Sequence, residues 1–74
     1  MPRLESKLNI ENKISDLRLR KGVTQQELAD SIGVTRATII ALEKGSYNPS
    51  LELAFRLSRH FRTGVESIFN IKGE

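Results

Sequence analysis

The segment that decides the fold is TQQELADSIGVTRATIIALEKG, residues 24–45. It contains two apolar patterns with helical spacing, and the turn around Gly33 separates them. The first pattern opens on a capping box, in which the Thr24 hydroxyl accepts a hydrogen bond from the Glu27 amide while the Glu27 side chain reaches back. The segment therefore predicts two short helices joined by a tight turn.

The spacing of the apolar residues predicts which side of each helix is buried. The inward residues are Leu28, Ala29 and Ile32 in the first helix and Ile39 and Leu42 in the second. Thr35 is a suitable N-cap for the second helix, and Val34 is placed to fill the turn. Gly33 and Gly45 stand where each helix would end in a left-handed residue.

One further helix is predicted before this segment and two after it. The preceding helix runs from about Lys13 to Lys21, with Asn12 as its N-cap and Gly22 at its end. After the segment, Pro49 blocks a helix at Asn48, and Ser50 caps the next one. The inward residues of this helix are predicted to be Leu51, Ala54, Leu57 and Phe61.

A second capping box, Thr63-Gly64-Val65-Glu66, predicts a short last helix through about Phe69. The predicted fold class is all-α, a compact five-helix bundle that contains a helix-turn-helix at about residues 24–45. Residues 1–11 form a polar N-terminal arm, 12–69 the helical domain and 70–74 a tail. Because 7–11 alternates weakly, it could pair as a strand with 70–72, which leaves a small terminal β-ribbon as an option.

Length and composition exclude several kinds of site. The 74 residues allow one domain. Without cysteine and with a single histidine, His60, the chain is expected to hold neither a disulfide nor a metal. It contains no nucleophile–base set and no phosphate-binding glycine loop, so we expect no enzymatic activity and no cofactor.

The charge and hydropathy patterns bear on partners and location. A net charge of +3 permits a polyanionic partner without requiring one. No stretch is apolar enough for a membrane span or a secretory signal. We therefore expect a soluble cytoplasmic protein that does not associate with membranes.

From Asn12 to Phe69 the chain resembles the Cro and phage-repressor type of helix-turn-helix domain, also called the xenobiotic-response-element family. The segments that carry the resemblance are ISDLR (14–18), GVTQQELA (22–29), GVTR (33–36), TI (38–39), LEKG (42–45), YNPSL (47–51) and ESIF (66–69). Domains of this kind place the second helix of the motif in the major groove of double-stranded DNA, while the first crosses the backbone. The resemblance therefore implies a DNA-binding protein, associated with the nucleoid when bound.

The resemblance also implies roles for individual residues. Gln25 would hold a phosphate at the N-terminus of the first motif helix, where free amides favour anions. The recognition helix would present Thr35, Arg36, Ala37, Thr38, Ile40 and Ala41 to the groove. The segment after it would meet the next phosphates through Lys44, Ser46, Tyr47 and Asn48. Arg18 and Glu43 would form a partly buried ion pair between helices.

Several of these residues also have a purely structural interpretation. Arg36 could be a solvated surface arginine, and the Tyr47 ring could pack on its own loop. The Arg18 and Glu43 pair is best interpreted as structural, because a buried charge needs its partner. Basic residues crowd the end of the fourth helix, which the family places away from the groove, so a solvated face is favoured there; they are Arg56, Arg59, His60 and Arg62.

Two positions depart from the family pattern. Many relatives carry glutamine at the position of Ala37 and a small polar residue at that of Ile40. An alanine or isoleucine can touch a thymine methyl group, but it cannot hydrogen-bond a base edge. Ile40 could instead pack on a protein neighbour, which would favour an interaction module over a groove reader.

The leading functional hypothesis is a sequence-specific transcriptional regulator, a repressor acting as a homodimer on a two-fold-symmetric operator. One domain covers only a half-site, so a dimer is needed to join two of them. Val65, Phe69 and Ile71 are the candidate dimer interface, since they are more apolar than the end of a small monomer requires. The alternative is a protein-interaction module, such as the antitoxin of a toxin–antitoxin pair.

Overall fold

The computed structural model describes residues 9–46 and 48–73. In chain order its elements are β1 (Ile10–Asn12), α1 (Ile14–Lys21), α2 (Gln25–Ile32), α3 (Arg36–Lys44), α4 (Leu51–Phe61), α5 (Val65–Ile68) and β2 (Phe69–Ile71). The predicted five-helix fold with a small terminal ribbon is confirmed. The predictions for the arm up to Leu8 and for Tyr47 concern residues outside the described part. Over the described ranges, no helix has both the length and the apolar character needed to cross a membrane.

The motif helices α2 and α3 begin and end where their local signals predict. Thr24 Oγ1 accepts a hydrogen bond from the Glu27 amide at 3.0 Å, and the Glu27 carboxylate accepts one from the Thr24 amide at 2.8 Å. Thr35 Oγ1 accepts from the Thr38 amide at 3.2 Å and so caps α3. Gly33 ends α2 at a φ of 76°, a left-handed conformation that glycine adopts without a steric penalty.

Helix α1 starts one residue later than predicted. Asn12 Oδ1 accepts a hydrogen bond from the Ile14 amide at 3.1 Å, so Asn12 does satisfy an N-terminal donor of the helix. However, its backbone is extended and pairs with Phe69 in the ribbon. The N-cap position therefore falls on Lys13, whose side chain makes no capping bond.

A single core lies where the five helices meet. The fully buried large side chains come from every helix and are Ile14, Leu28, Ile39, Leu42, Leu57 and Ile68. Burying each such side chain stabilises the fold by about 1.5–3 kcal/mol. All five residues predicted as inward in α2 and α3 are buried.

The buried face of α4 differs from the prediction at Leu51. That side chain is 72% exposed, whereas Leu53 is only 8% exposed and belongs to the core. Residues two apart on a helix lie about 200° apart around its axis, so Leu51 and Leu53 cannot both face inward. Leu53 shares its face with Ala54 and Leu57, and the prediction of Leu51 as a core residue was wrong.

The second predicted capping box does not form. Helix α5 begins at Val65 with Gly64 as N-cap, it has no side-chain cap, and it ends at Ile68 rather than Phe69. Thr63 instead belongs to the turn that ends α4, because its amide donates to the Ser58 carbonyl and its carbonyl accepts from the Ser58 hydroxyl. Phe69 is drawn into β2 by pairing with β1.

The ribbon joins the two ends of the domain. Strands β1 and β2 are antiparallel, with Ile10 opposite Ile71 and Asn12 opposite Phe69. This confirms that a strand pair forms from the two segments, although the N-terminal strand runs to Asn12 rather than ending at residue 11. Asn12 Nδ2 also donates to the Leu42 carbonyl at 2.8 Å, which fixes the ribbon beside the C-terminal end of α3.

A polar network fixes α3 against α1 and α2. Arg18 Nε donates to Glu43 Oε2 at 2.7 Å, and Arg18 Nη1 donates to the Val23 carbonyl at 3.0 Å. Gln25 Nε2 donates to Glu43 Oε1 at 3.1 Å. The ionic side chains are only 13% and 10% exposed. The pair is therefore shielded from water in part, and each charge depends on the other for solvation.

We expect removal of one partner of this network to destabilise the domain more than removal of an exposed ion pair does. Arg18→Ala should lower the free energy of unfolding by about 2–3 kcal/mol, since it leaves Glu43 partly buried without a counter-charge. The exposed Glu52 and Arg56 pair offers the control, and Glu52→Ala should cost less than about 1 kcal/mol. Denaturant melts of Arg18→Ala, Glu43→Ala and the double variant should give a coupling energy of about 0.5–3 kcal/mol. Strictly additive effects would contradict the pairing.

A second expectation concerns Arg62, which ends α4 in a left-handed conformation with a φ of 53°. Because this conformation is strained for a residue with a Cβ atom, Arg62→Gly should raise the free energy of unfolding by about 0.5–1 kcal/mol, net of glycine's extra flexibility. Gly45 has a φ of 74°, and nothing lies within 4 Å of the position that a Cβ atom would take there. Gly45→Ala should therefore lower stability by about 1–2 kcal/mol through backbone strain alone. Thermal melts that move in the same direction for both variants would refute this account.

Candidate nucleic-acid interface

One side of α3 does not pack against the core. Ile39 and Leu42 face inward, and Arg36 and Ala37 are exposed in the first turn. Thr38, Ile40 and Ala41 are half-buried, whereas Lys44 is exposed at the C-terminal end of α3. The residues predicted for the recognition face thus lie on or next to α3. The most accessible of them are Arg36 and Ala37 in its first turn and Lys44 at its end.

The N-terminus of α3 is organised by two threonines. Thr35 Oγ1 lies 3.0 Å from Thr38 Oγ1, in addition to accepting from the Thr38 amide. Both hydroxyls are therefore engaged within the protein, although each oxygen keeps further hydrogen-bonding capacity. Their main effect is to fix the first turn, from which Arg36 projects.

The structure brings Arg36 and Gln25 to the same concavity. This concavity has a volume of about 610 Å³ and lies between the α1–α2 turn, the start of α2 and the start of α3. Gln25 is half-buried, and one of its side-chain N–H groups already donates to Glu43. Its second amide hydrogen remains for an external acceptor, beside the unpaired backbone amides of the α2 N-terminus.

The electrostatics of this site depend on Glu43. The hydrogen bond to Glu43 raises the pKa of Arg18 above its ordinary value, even though burial acts in the opposite direction. Arg18 is therefore a permanent cation that compensates the Glu43 carboxylate. Gln25 is hydrogen-bonded to the same carboxylate. Because Arg18 compensates the charge of Glu43, that carboxylate repels an anion near Gln25 less than an unpaired carboxylate would.

A second concavity lies at the other end of α3. It has a volume of about 760 Å³ and is bounded by the ribbon on one side and by the residues after α3 on the other. Lys44, Ser46 and Asn48, predicted to follow the recognition helix, line it together with Lys72. Sequence reasoning missed Lys72, because its position depends on the pairing of β1 with β2.

Of the four basic residues toward the end of α4, Arg56 and His60 have contacts within the protein, whereas Arg59 and Arg62 are exposed. Arg56 pairs with Glu52 at 2.6 Å, and Lys21 donates to the His60 carbonyl at 3.2 Å. Burial and the Lys21 charge lower the pKa of His60, whose ring stands edge-on to Phe61 at 5.0 Å. These contacts agree with a structural, solvated face. Among the described residues, no group of three potential ligands is placed to hold a metal ion.

Exposed apolar side chains form a further feature of the surface. Leu51 and Phe55, one turn apart on α4, are 72% and 58% exposed. The predicted interface residues Val65, Phe69 and Ile71 are half-buried, and Phe69 also packs against the core. Phe55 was missed, although α4 carries more apolar residues than one helix face can bury.

Sequence comparisons with known proteins all indicate the same family. A profile of the helix-turn-helix family matches residues 14–68. The chain is 56% identical over 57 residues to an uncharacterized HTH-type transcriptional regulator of Methanothermobacter thermautotrophicus, a match that covers 76% of this chain and 83% of the relative. It is 40% identical over 57 residues to the cryptic phage CTXphi transcriptional repressor RstR of Vibrio cholerae, covering 77% of this chain and 51% of the repressor.

A solved structure shows the same architecture. The restriction-modification controller protein C.AhdI of Aeromonas hydrophila superposes with a TM-score of 0.69 at 27% identity, covering 74% of this chain and 83% of that protein. The family profile spans the same helices that bury the core and present Arg36, and it covers well over half of the chain. The chain belongs to the helix-turn-helix family of Cro/repressor-type DNA-binding transcriptional regulators.

Proposed function

We propose that the protein is a transcriptional repressor that binds double-stranded DNA sequence-specifically, as a homodimer on a two-fold-symmetric operator. The observation that carries the proposal is the first turn of α3, which presents Arg36 in solvent beside Gln25 on a helix fixed by the Arg18 and Glu43 pair. A rigid, exposed helix end with one long cationic donor is suited to reading a groove.

Base reading is assigned to the first turn of α3. The N-terminal residues of a recognition helix reach deepest into the major groove. The Arg36 guanidinium can donate to both O6 and N7 of a guanine, two acceptors that no other base presents together there. Ala37, exposed next to it, can contact a thymine methyl group. A half-site should therefore contain a guanine close to a thymine.

Phosphate anchoring is assigned to the two ends of the motif. Gln25 can donate its free amide hydrogen at the α2 N-terminus, where the helix dipole also favours an anion. Lys44 and Asn48 lie at and past the end of α3, are exposed, and can meet phosphates on the other side of the groove. Contacts of this kind supply affinity and register without sequence information.

The interaction-module alternative depended on Ile40 as an apolar contact for another protein. Ile40 is half-buried against its own domain, so little of its side chain is free for a partner. No other described residue of α3 favours that alternative. The name of the Vibrio cholerae relative, a transcriptional repressor, supports repression in particular. A regulator of this kind would act in the cytoplasm, and the proposed activity requires no cofactor or metal.

The homodimer is proposed to use the side of the domain formed by α4, α5 and β2. A single α3 covers one half-site, so a second copy is needed to read a symmetric operator. Val65, Phe69 and Ile71 remain the proposed interface, and Leu51 and Phe55, exposed on the helix against which α5 packs, are proposed to extend it. Covering a leucine and a phenylalanine that are each more than half exposed would supply hydrophobic stabilisation to the dimer.

Selection of binding sites from random duplexes is expected to yield a two-fold-symmetric consensus with a guanine near a thymine in each half. On the selected duplex, Arg36→Ala should weaken binding by about 1–3 kcal/mol, with a much smaller loss on random duplex, because the lost contacts are to a base. Titrations of both duplexes at one salt concentration measure the difference.

The control for this experiment is Arg59→Gln, which removes one exposed charge at the far end of α4. It should leave the discrimination between the two duplexes unchanged. Equal losses on both duplexes for Arg36→Ala would assign Arg36 to a phosphate instead of a base. Absence of any enriched sequence would contradict sequence-specific binding altogether.

The dimer is tested by adding a charge to the proposed interface. Phe55→Glu and Val65→Glu should each shift the protein toward monomer, since a carboxylate would have to be desolvated at the contact. Leu19→Glu is the matched control, because Leu19 is a similarly exposed large apolar residue, at 64%, and lies on α1 outside the proposed interface. Sedimentation over a range of concentrations gives the three monomer–dimer equilibria. A monomeric wild-type protein, or three variants with the same equilibrium, would contradict this interface.

A further inference from the structure

We infer that the terminal ribbon is part of the DNA-binding surface, and that Lys72 binds a backbone phosphate flanking the half-site, beside Lys44. The inference rests on the proposed function, since it adds a phosphate subsite to the same DNA complex. The ribbon would then bind DNA in addition to pairing the segments that flank the five helices.

Hydrogen bonds fix the position of the ribbon beside α3. Asn12 Nδ2 donates to the Leu42 carbonyl in the last turn of α3 at 2.8 Å. The Lys72 amide donates to the Asn9 carbonyl at 2.7 Å, which continues the strand pairing past β2. Lys72 is therefore held next to the C-terminal end of α3 by backbone and side-chain hydrogen bonds.

Helix α3 is about as long as the major groove is wide. Its nine residues span about 13 Å at a rise of 1.5 Å per residue. The major groove is about 12 Å wide. With Arg36 in the groove, a helix of this length brings its C-terminal end within reach of a backbone phosphate, and the concavity shared by Lys44 and Lys72 opens at that end.

The concavity shared by Lys44 and Lys72 carries an excess of positive charge. Lys44 and Lys72 are exposed, and within the described part of the chain neither takes part in an ion pair. Of the two carboxylates that line it, Glu43 is compensated by Arg18. Glu11 accepts a hydrogen bond from the neutral Asn70 side chain at 2.6 Å and has no cationic partner among the described residues, so it opposes a phosphate. Two free cations against one carboxylate leave the concavity suited to an anion.

The test uses the full chain and a duplex that extends beyond the half-sites, titrated at several salt concentrations. Lys72→Gln should reduce the slope of log affinity against log salt by about 0.9 per protomer, the value for one phosphate contact. The loss of affinity should be the same factor on selected and on random duplex. Glu11→Gln should act in the opposite direction and strengthen binding, because it removes a repulsive charge and keeps the acceptor for Asn70.

The charge-matched control is Arg59→Gln, which should leave the slope within error of the wild type. A slope for Lys72→Gln equal to that of Arg59→Gln would overturn the ribbon subsite, while salt-dependent wild-type binding would leave the proposed function intact. A wild-type protein that binds no duplex would overturn both. Thermal melts of the three variants verify that each keeps the wild-type stability, as expected for exposed side chains.

Discussion

The ion pair between Arg18 and Glu43 is the constraint on which the functional part of the structure depends. Helix α3 contributes Ile39 and Leu42 to the fully buried core, and these residues set which face of the helix points inward. The pair, with its shared bonds to Val23 and Gln25, fixes α3 to α1, to the α1–α2 turn and to α2. Directional bonds between partly buried charges thus set the angle at which Arg36 projects.

The same network links stability to recognition. Glu43 accepts from Arg18 and from Gln25, so the residue proposed to hold a phosphate is oriented by the carboxylate that also orients the recognition helix. A change at Glu43 would therefore affect packing and binding together. One partly buried carboxylate thus orients Gln25 directly and, through its bonds to Arg18, the helix that carries Arg36.

The helix ends and the ribbon add the stability that a small core requires. A 74-residue chain without cysteine has to stabilise one small core through local chemistry. A side-chain cap satisfies one amide in the first turn of each of α2, α3 and α4, and left-handed residues donate to carbonyls near the end of four helices. The ribbon joins the segment before α1 to the segment after α5 and places Asn12 on a carbonyl of α3, so it also supports the recognition helix.

The sequence by itself determined the features that short-range chemistry controls. The capping box at Thr24, the Thr35 cap and the glycine after each motif helix act within a few residues, so the helix-turn-helix and its exposed first turn could be predicted. Only the tertiary structure decided between Leu51 and Leu53 for the core, moved the start of α5 past Thr63, and gave Gln25 its Glu43 partner. In each of these cases the local sequence is compatible with more than one arrangement of the residues concerned. Contacts between residues distant in sequence, which no local pattern encodes, selected one of them.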